Sequence, residues 1–337
     1  MAFVIPFFIQ HRGCPHRCLF CDQLAIAGKS GDQQDSTRRL EETITTWLAR
    51  NRRKQEVQVA FYGGSFTCLP SAVQNSLLAI VRNYIRSGVV SSARLSTRPD
   101  CIDVAVCENL KEQGVKTVEL GLQSMDDRVL EAVARGHDSD TGRQAALLVK
   151  RWGFELGIQL MPGLPRETTV SFFNGLRKVI AIGPDFVRLY PAVALKNTGL
   201  ADLYRSGVWQ PLSMNRAVAL TAKARNILIS NNIRVIRMGL QPSDTLAQQV
   251  LAGPYHPAFG ERVITRVWYR KIRKLMASVE PGSILVVTIS DRDYSAFVGP
   301  GRQNFRRLNQ LPYGSRLVVR KDPSLKRFTF RYEIEQG

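Results

Sequence analysis

From residue 3 to about residue 235, short apolar runs alternate with helix-patterned segments, and this alternation most constrains what the chain can fold into. Phe3–Ile9, Val57–Tyr62, Ala93–Thr97, Thr117–Leu122, Phe154–Leu160 and Phe186–Tyr190 read as strands. Between the first of them, Leu40, Ile44, Trp47 and Leu48 fall on one helical face, behind a cap at Asp35 or Ser36. Val73, Leu77, Ile80, Val81 and Tyr84 repeat the spacing after Pro70-Ser71. Strands separated by helices predict βαβ units and a parallel sheet, and about six such units fit.

The first strand runs into Cys14-Pro-His-Arg-Cys18-Leu-Phe-Cys21, a C-x3-C-x2-C run with Phe20 ahead of its third cysteine. Three thiolates this close can bind three irons of a [4Fe–4S] cluster and leave the fourth open to a small molecule. Structural zinc would need a fourth ligand, His11 or His16, and usually takes two separated pairs. A disulfide framework fits poorly with a chain that shows no secretion signal. Cys68, Cys101 and Cys107 are scattered and are expected to be small buried hydrophobes. Ala2–Ile9 lacks a basic start and a cleavage site, so it reads as a strand and not a signal peptide. No apolar run approaches the ~18 residues of a membrane span. A soluble, cytoplasmic protein without a membrane partner is expected.

Further motifs stand at the ends of the strands, where α/β barrels carry their chemistry. They are Gly63-Gly64-Ser65-Phe66, Glu119-Leu-Gly-Leu-Gln123-Ser124, Ala-Arg135-Gly-His137 and Gly157-Ile-Gln159-Leu-Met-Pro-Gly163-Leu-Pro165. With the cysteine run, they resemble the radical S-adenosylmethionine (SAM) superfamily. The resemblance implies an α/β fold with a partial (β/α)6 barrel, and Cys14, Cys18 and Cys21 as ligands of a [4Fe–4S] cluster. It implies that the backbone of Gly63 and Gly64 binds the SAM amino group, with Ser65 standing where the family has glutamate. Gln123 would hydrogen-bond the ribose and Arg135 would pair with the SAM carboxylate. Gln159 would flank the ribose, where aspartate is common, and Phe20 would pack near adenine. The implied reaction is one-electron reductive cleavage of SAM to a 5′-deoxyadenosyl radical, fed by a flavodoxin- or ferredoxin-type electron donor.

Within the superfamily, Phe61-Tyr-Gly-Gly-Ser-Phe66, Ser96-Thr-Arg98-Pro-Asp100, Arg188-Leu-Tyr190-Pro191 and Asn197-Thr-Gly-Leu200 resemble the radical SAM half of the Elongator protein 3 (Elp3) family. That likeness covers residues 1 to about 240, and the family acts on the wobble uridine of tRNA. The three-residue gap between Cys14 and Cys18 departs from its longer one. The residues that follow the likeness are too few for its acetyltransferase domain. Tyr190 and Arg98, at strand ends expected to face the cavity, are the candidate catalytic residues. Each has a structural alternative, Tyr190 in the core and Arg98 as a carboxylate partner.

Lys and Arg number 47 against 28 Asp and Glu, a net charge of +19. From Glu261 onward the count is 16 against 7. Residues 241–337 are therefore expected to form a basic accessory unit, a small C-terminal α+β extension. A helix from Glu261 to about Ala277 would turn Val263, Val267, Ile272 and Leu275 toward the barrel. Strands would follow at Ile284–Ile289, Arg316–Arg320 and Phe328–Ile334. Such a charge concentrates polyanions, and interleaved arginines and aromatics suit RNA, so tRNA or rRNA is the expected partner. Two other readings stay open. One is a radical SAM enzyme acting on a small molecule or peptide, with the unit as a lid. The other is a non-catalytic iron–sulfur protein that binds nucleic acid.

Overall fold

The computed structural model describes residues 2–9, 14–22, 33–51, 55–313 and 315–336. The six expected strands form as β1 (Phe3–Phe8), β2 (Val57–Tyr62), β3 (Ser92–Thr97), β4 (Val115–Gln123), β5 (Glu155–Leu160) and β6 (Phe186–Leu189). They lie side by side in chain order, each pair parallel. Helices α1 (Gln33–Leu48), α2 (Ser71–Arg86), α3 (Val104–Glu112), α4 (Asp127–Ala132), α5 (Ser139–Arg151) and α6 (Thr169–Ile182) make the crossovers. Beyond them come β7 (Ala194–Leu195), α7 (Gly199–Arg205), α8 (Met214–Ser230), β8 (Arg234–Met238), α9 (Asp244–Gln249) and β9 (Val250–Ala252). β7 and β9 pair as a small antiparallel ribbon. Strands β1 to β6, with β8, make a curled, parallel half-barrel sheet.

The sheet has seven strands where about six were expected, because β8 joins its edge beside β6. Arg234-Val-Ile-Arg-Met is an edge strand with no buried residue, so it carries no apolar run to announce it. α1 begins at Gln33, which places Asp35 and Ser36 within its first turn and not at its cap. Its predicted face holds: Leu40 and Ile44 are fully buried.

The two faces of the sheet differ in kind, since successive strand residues point to opposite sides. Val59, Phe61, Leu95, Val118, Leu120, Ile158 and Leu189 form one apolar, buried set. The alternate positions carry Gln58, Arg94, Glu119, Gln159 and Arg188. Gln58, Arg94 and Glu119 are nevertheless buried, so the sheet is shielded from water on this face as well. Gly157 sits among them without a side chain because Phe186 fills the space a Cβ would need. The nearest ring atoms lie 2.4 Å from that point and Glu119 Cγ 3.1 Å.

Cys68 and Cys101 correct the expectation of isolated buried cysteines: they form a disulfide, with Cα atoms 5.3 Å apart. Residues 33 apart in sequence meet because parallel pairing of β2 and β3 brings their following turns together. Cys107 is free and fully buried, as expected.

The chain divides into two compact units, residues 1–217 with 224–255, and residues 218–223 with 256–337. In the second, α10 (Phe259–Met276) precedes a three-stranded sheet in the order β11-β10-β12. Its strands are β10 (Ile284–Ile289), β11 (Arg316–Lys321) and β12 (Phe330–Glu335). Two short helices, α11 (Tyr294–Val298) and α12 (Gln303–Asn309), lie between β10 and β11. The buried stripe of α10 is Val263, Ile264, Trp268, Ile272 and Met276, shifted from the expected Val267 and Leu275. The large indole decides this: Trp268 packs against Phe297 and Phe330 of the same unit, at 5.4 and 6.1 Å between ring centroids. Among the described residues, no helix is long and apolar enough to cross a membrane.

Because Gly157 has no room for a methyl group, Gly157→Ala is expected to destabilise the first unit by about 1–3 kcal/mol through overpacking. Chemical denaturation of the purified protein measures it, and an unchanged midpoint contradicts the packing described.

Candidate functional site

The cysteine loop lies against the turns that leave β3 and β4. Its backbone is pinned twice: Leu19 N–H donates to the Val133 carbonyl at 3.0 Å, and Leu200 N–H donates to the Leu19 carbonyl at 2.8 Å. A Cβ on Gly199 would come within 2.6 Å of the Leu19 side chain, and one on Gly136 within 2.5 Å of the His16 ring. The loop is thus seated where two glycines leave space. Cys14, Cys18 and Cys21 are all free thiols, with Cys18 buried. Cys21 N–H closes a turn onto the Cys18 carbonyl at 3.0 Å.

Two guanidinium groups point at one sulfur. Arg135 Nη1 lies 3.4 Å from Cys18 Sγ and Arg98 Nη1 3.7 Å from it. Charged N–H donors favour thiolate sulfur and, in iron–sulfur sites, help set the potential. Arg98 is itself held by two partners: by Asp100, at 2.9 Å from both Nε and Nη2, and by the Arg135 carbonyl, which accepts from Nη2 at 2.6 Å. Burial raises the Asp100 carboxyl, but the Arg98 hydrogen bonds and charge outweigh it and hold the group below its ordinary range. His16 Nε2 stands 3.7 Å from the same carboxylate. Arg98 is therefore directed at the cysteine loop and not at an open cavity. Its alternative as a carboxylate partner is the one this geometry displays.

Arg135 is almost wholly buried, with Nη2 donating to the Gly121 carbonyl at 2.5 Å. Its Nε is buried without a hydrogen-bond partner among the described residues. Burial depresses the His137 imidazole to about 4, so it is neutral at pH 7. A buried cation with one unspent donor, beside the Cys18 thiol, fits an anionic cofactor group. The donor set also suits iron, although among the described residues no three ligating side chains converge as a closed cage. The thiols share one loop that must draw together around a metal cluster.

The other sequence-selected residues stand at strand ends, except Phe20, which belongs to the loop itself. Gly63 adopts φ +92°, a left-handed turn that glycine alone takes without strain. Ser65, at the position where the resembled family has glutamate, uses its hydroxyl oxygen internally. It accepts from Arg98 N–H at 2.9 Å and lies 3.0 Å from Cys68 Sγ and 3.1 Å from Thr97 Oγ1. Gln123 has φ +67° at an irregularity in the β4–β5 register, the kind of backbone outlier that collects at functional sites. Gln159 Nε2 donates to its Oε1 at 3.3 Å, so the two amides form a pair. Phe20 and Tyr190 both pack on one apolar cluster that includes Met161, Leu164 and Ala192.

Three features had no signal in the motifs. The first is a buried polar network inside the sheet. Glu119 accepts from Arg94 Nη2 at 2.7 Å, from Arg188 Nε at 2.5 Å and from the Tyr62 hydroxyl at 3.2 Å. Arg188 Nη1 also donates to the Tyr190 hydroxyl at 3.2 Å. Burial opposes the Arg188 charge, yet Glu119 outweighs it and holds that pKa above its ordinary value. Burial and the same carboxylate push the Tyr62 phenol up to about 12. Charged residues at one strand parity were the available clue. The second feature is the disulfide, whose partners no spacing rule joins. The third is Glu167, half-buried after β5, which accepts from Gly163 N–H at 2.7 Å and Ser124 Oγ at 3.4 Å. Burial pushes its carboxyl up to about 8.

Comparison with known proteins gives a consistent result. Residues 8–174 match the family model described as the Radical SAM superfamily, and residues 184–268 match the Radical_SAM C-terminal domain. An uncharacterized protein of Methanocaldococcus jannaschii is 26% identical over 220 residues, 62% of this chain and 66% of its own. A tRNA uridine(34) acetyltransferase of Methanocaldococcus infernus is 28% identical over 138 residues, 40% of this chain and 26% of its own. The chain thus spans between 26% and 66% of the length of these relatives. Among solved structures, an Elp3 of Methanocaldococcus infernus with an N-terminal deletion superposes with a TM-score of 0.64 at 19% identity. The match covers 83% of this chain and 66% of that one, and it demonstrates a shared fold.

The Glu167 proton gives a pH signature. Its folded pKa of about 8 exceeds the ordinary 4.5, so the folded state holds this proton more tightly than the unfolded one. The resulting stability is fully present below about pH 4.5 and is lost as pH rises through about 8. Melting temperatures of Glu167→Gln are expected to fall less than those of the wild type across that window. Parallel curves contradict a protonated Glu167.

Proposed function

Since the chain belongs to the radical SAM superfamily, whose members use a [4Fe–4S] cluster and SAM, we propose that it is an RNA-modifying radical enzyme acting on tRNA or rRNA. The observation that carries the chemical half is the seating of three free thiols on one loop, with Arg98 and Arg135 both aimed at Cys18 Sγ. The RNA half is supported by the net charge of +19 and by the relative whose name places it on tRNA uridine 34.

Cys14, Cys18 and Cys21 would hold the cluster. With SAM bound, that cofactor pair supplies a 5′-deoxyadenosyl radical able to take hydrogen from an unactivated carbon. The chain's own residues bind and orient. The unspent Arg135 Nε is the donor for the SAM carboxylate, and the backbone at Gly63 and Gly64 receives the amino group. The Gln123–Gln159 amide pair faces the ribose, and Phe20 supplies apolar surface. Arg98 acts on the site through Cys18 and Asp100. Tyr190 is the residue assigned to the substrate side, its hydroxyl fixed by Arg188 and, through it, by Glu119. A flavodoxin- or ferredoxin-type protein delivers the electron.

The test is anaerobic reconstitution with iron and sulfide, then SAM and dithionite, with 5′-deoxyadenosine measured with and without bulk tRNA and rRNA. RNA is expected to stimulate its formation, and Cys18→Ala to abolish it. Cleavage indifferent to RNA overturns the RNA half and moves the substrate to a small molecule or peptide. Absence of cleavage by the reconstituted wild type overturns the enzymatic reading.

A further inference from the structure

The second unit contains an open cleft of about 760 Å³ between the segment that carries α11 and α12 and the outer strand β11. Arg302, Arg306 and Arg316 line it, and no Asp or Glu does. Among the described residues, none of these three arginines is ion-paired with a carboxylate, although other arginines of the same sheet are: Arg320 on β11 meets Glu333 and Glu335, and Arg331 on β12 meets Asp322. The cleft therefore holds three charges that the protein itself leaves unneutralised. Aromatic surface lies beside them. The Arg302 guanidinium covers the Phe305 ring at 5.0 Å, and Lys321 Nζ stands 4.1 Å from the centre of the Tyr294 ring, which also lines the cleft.

Two further observations point to a ligand and narrow its class. Ser315 lines the cleft and is 6% exposed, yet its hydroxyl has no hydrogen-bond partner among the described residues. A buried unspent donor beside cations suits a phosphate oxygen. The edge of β11 is also partly closed to an added peptide strand. Asn309 Oδ1 accepts from Leu317 N–H at 2.8 Å, occupying a backbone donor that such a strand would need.

We propose that this cleft binds a nucleotide step of single-stranded RNA, its phosphodiester held by Arg306, Arg316 and the Ser315 hydroxyl and its base stacked on the Arg302–Phe305 pair. Bases stack on both aromatic rings and guanidinium planes, and neutralised phosphates release counterions. The proposal rests on the RNA reading above and adds where the RNA is gripped.

The test is fluorescence anisotropy of a labelled single-stranded uridine oligonucleotide, and of bulk tRNA as competitor, against the full-length protein at several salt concentrations. For Arg306→Ala with Arg316→Ala, affinity is expected to fall roughly tenfold or more. The slope of log affinity on log salt should shrink by about 0.7 for each arginine removed. Phe305→Leu should weaken binding while leaving that slope unchanged, since stacking releases no counterions. Thermal melts and RNA-independent SAM cleavage, which the cleft does not serve, report whether each variant is folded. If the wild type binds RNA and the folded variants bind with equal affinity and slope, the cleft assignment is overturned while the RNA reading stands. If the wild type binds no RNA, both fall. If a polyglutamate peptide binds as tightly as RNA and is lost with the same arginines, the cleft belongs to an acidic peptide and the proposal is overturned.

Discussion

One buried carboxylate organises the interior of this sheet. Glu119 on β4 is shared by Arg94 on β3 and Arg188 on β6 and is reached by Tyr62 at the end of β2. Burying two guanidinium groups is costly unless each is paired and hydrogen-bonded, and withdrawal of one partner from such a group typically costs about 3–5 kcal/mol. The network thus makes demands on the strands around it. It favours a register in which these side chains share one face, and a curvature that lets β3 and β6 reach the same carboxylate. Gly157 on the intervening β5 and the ring of Phe186 fit that arrangement, because any side chain at 157 would collide with what lies beside Glu119. Tyr190, tied to Arg188, inherits its position from the same carboxylate.

The cysteine loop depends on a different constraint, the geometry of strand ends. Parallel strands place all their following turns at one edge of the sheet. The turns after β2 and β3 are cross-linked there by Cys68 and Cys101, and Ser65 and Arg98 are hydrogen-bonded across the same gap. Arg98 and Arg135 then reach from the turns after β3 and β4 to a single sulfur. Cys18 is thereby met by two guanidinium groups, one of them paired with Asp100, that are fixed before any ligand arrives. Preorganised donors of this kind cost little reorganisation when an anionic group binds. The second unit distributes its charge differently. Its surface ion pairs spare the three arginines of the cleft beside β11, and so leave a local cationic surface inside a generally basic protein.

Much of this was legible in the chain, for identifiable reasons. β2 and β10 fall where Val57–Tyr62 and Ile284–Ile289 stand, since buried strands write themselves as mostly apolar segments with at most one polar residue inside. β8 was invisible for the opposite reason: an exposed edge strand rich in arginine has no such run. The stripe of α10 was displaced because periodicity counts apolar positions equally, whereas Trp268 buries far more surface than Val267 and so sets the face. Arg98 was chosen from its place at a strand end, but sequence position says nothing about which acceptors a long side chain finds. Asp100, two residues on, and Cys18, eighty residues back, took its donors.

By itself the sequence determined the βαβ units of a parallel sheet, the three-thiol loop that follows its first strand, and the excess of positive charge in the last 77 residues. These are properties of local pattern and composition, and they need no knowledge of what lies across the fold. Only the tertiary structure decided the sharing of Glu119, the pairing of Cys68 with Cys101, the raised pKa of Glu167 and, among the described residues, the lack of carboxylate partners for the arginines of the cleft. Each of these depends on whether a polar group, once removed from water, meets a partner. Partners tens of residues apart are joined only when the strands have chosen their neighbours and their register.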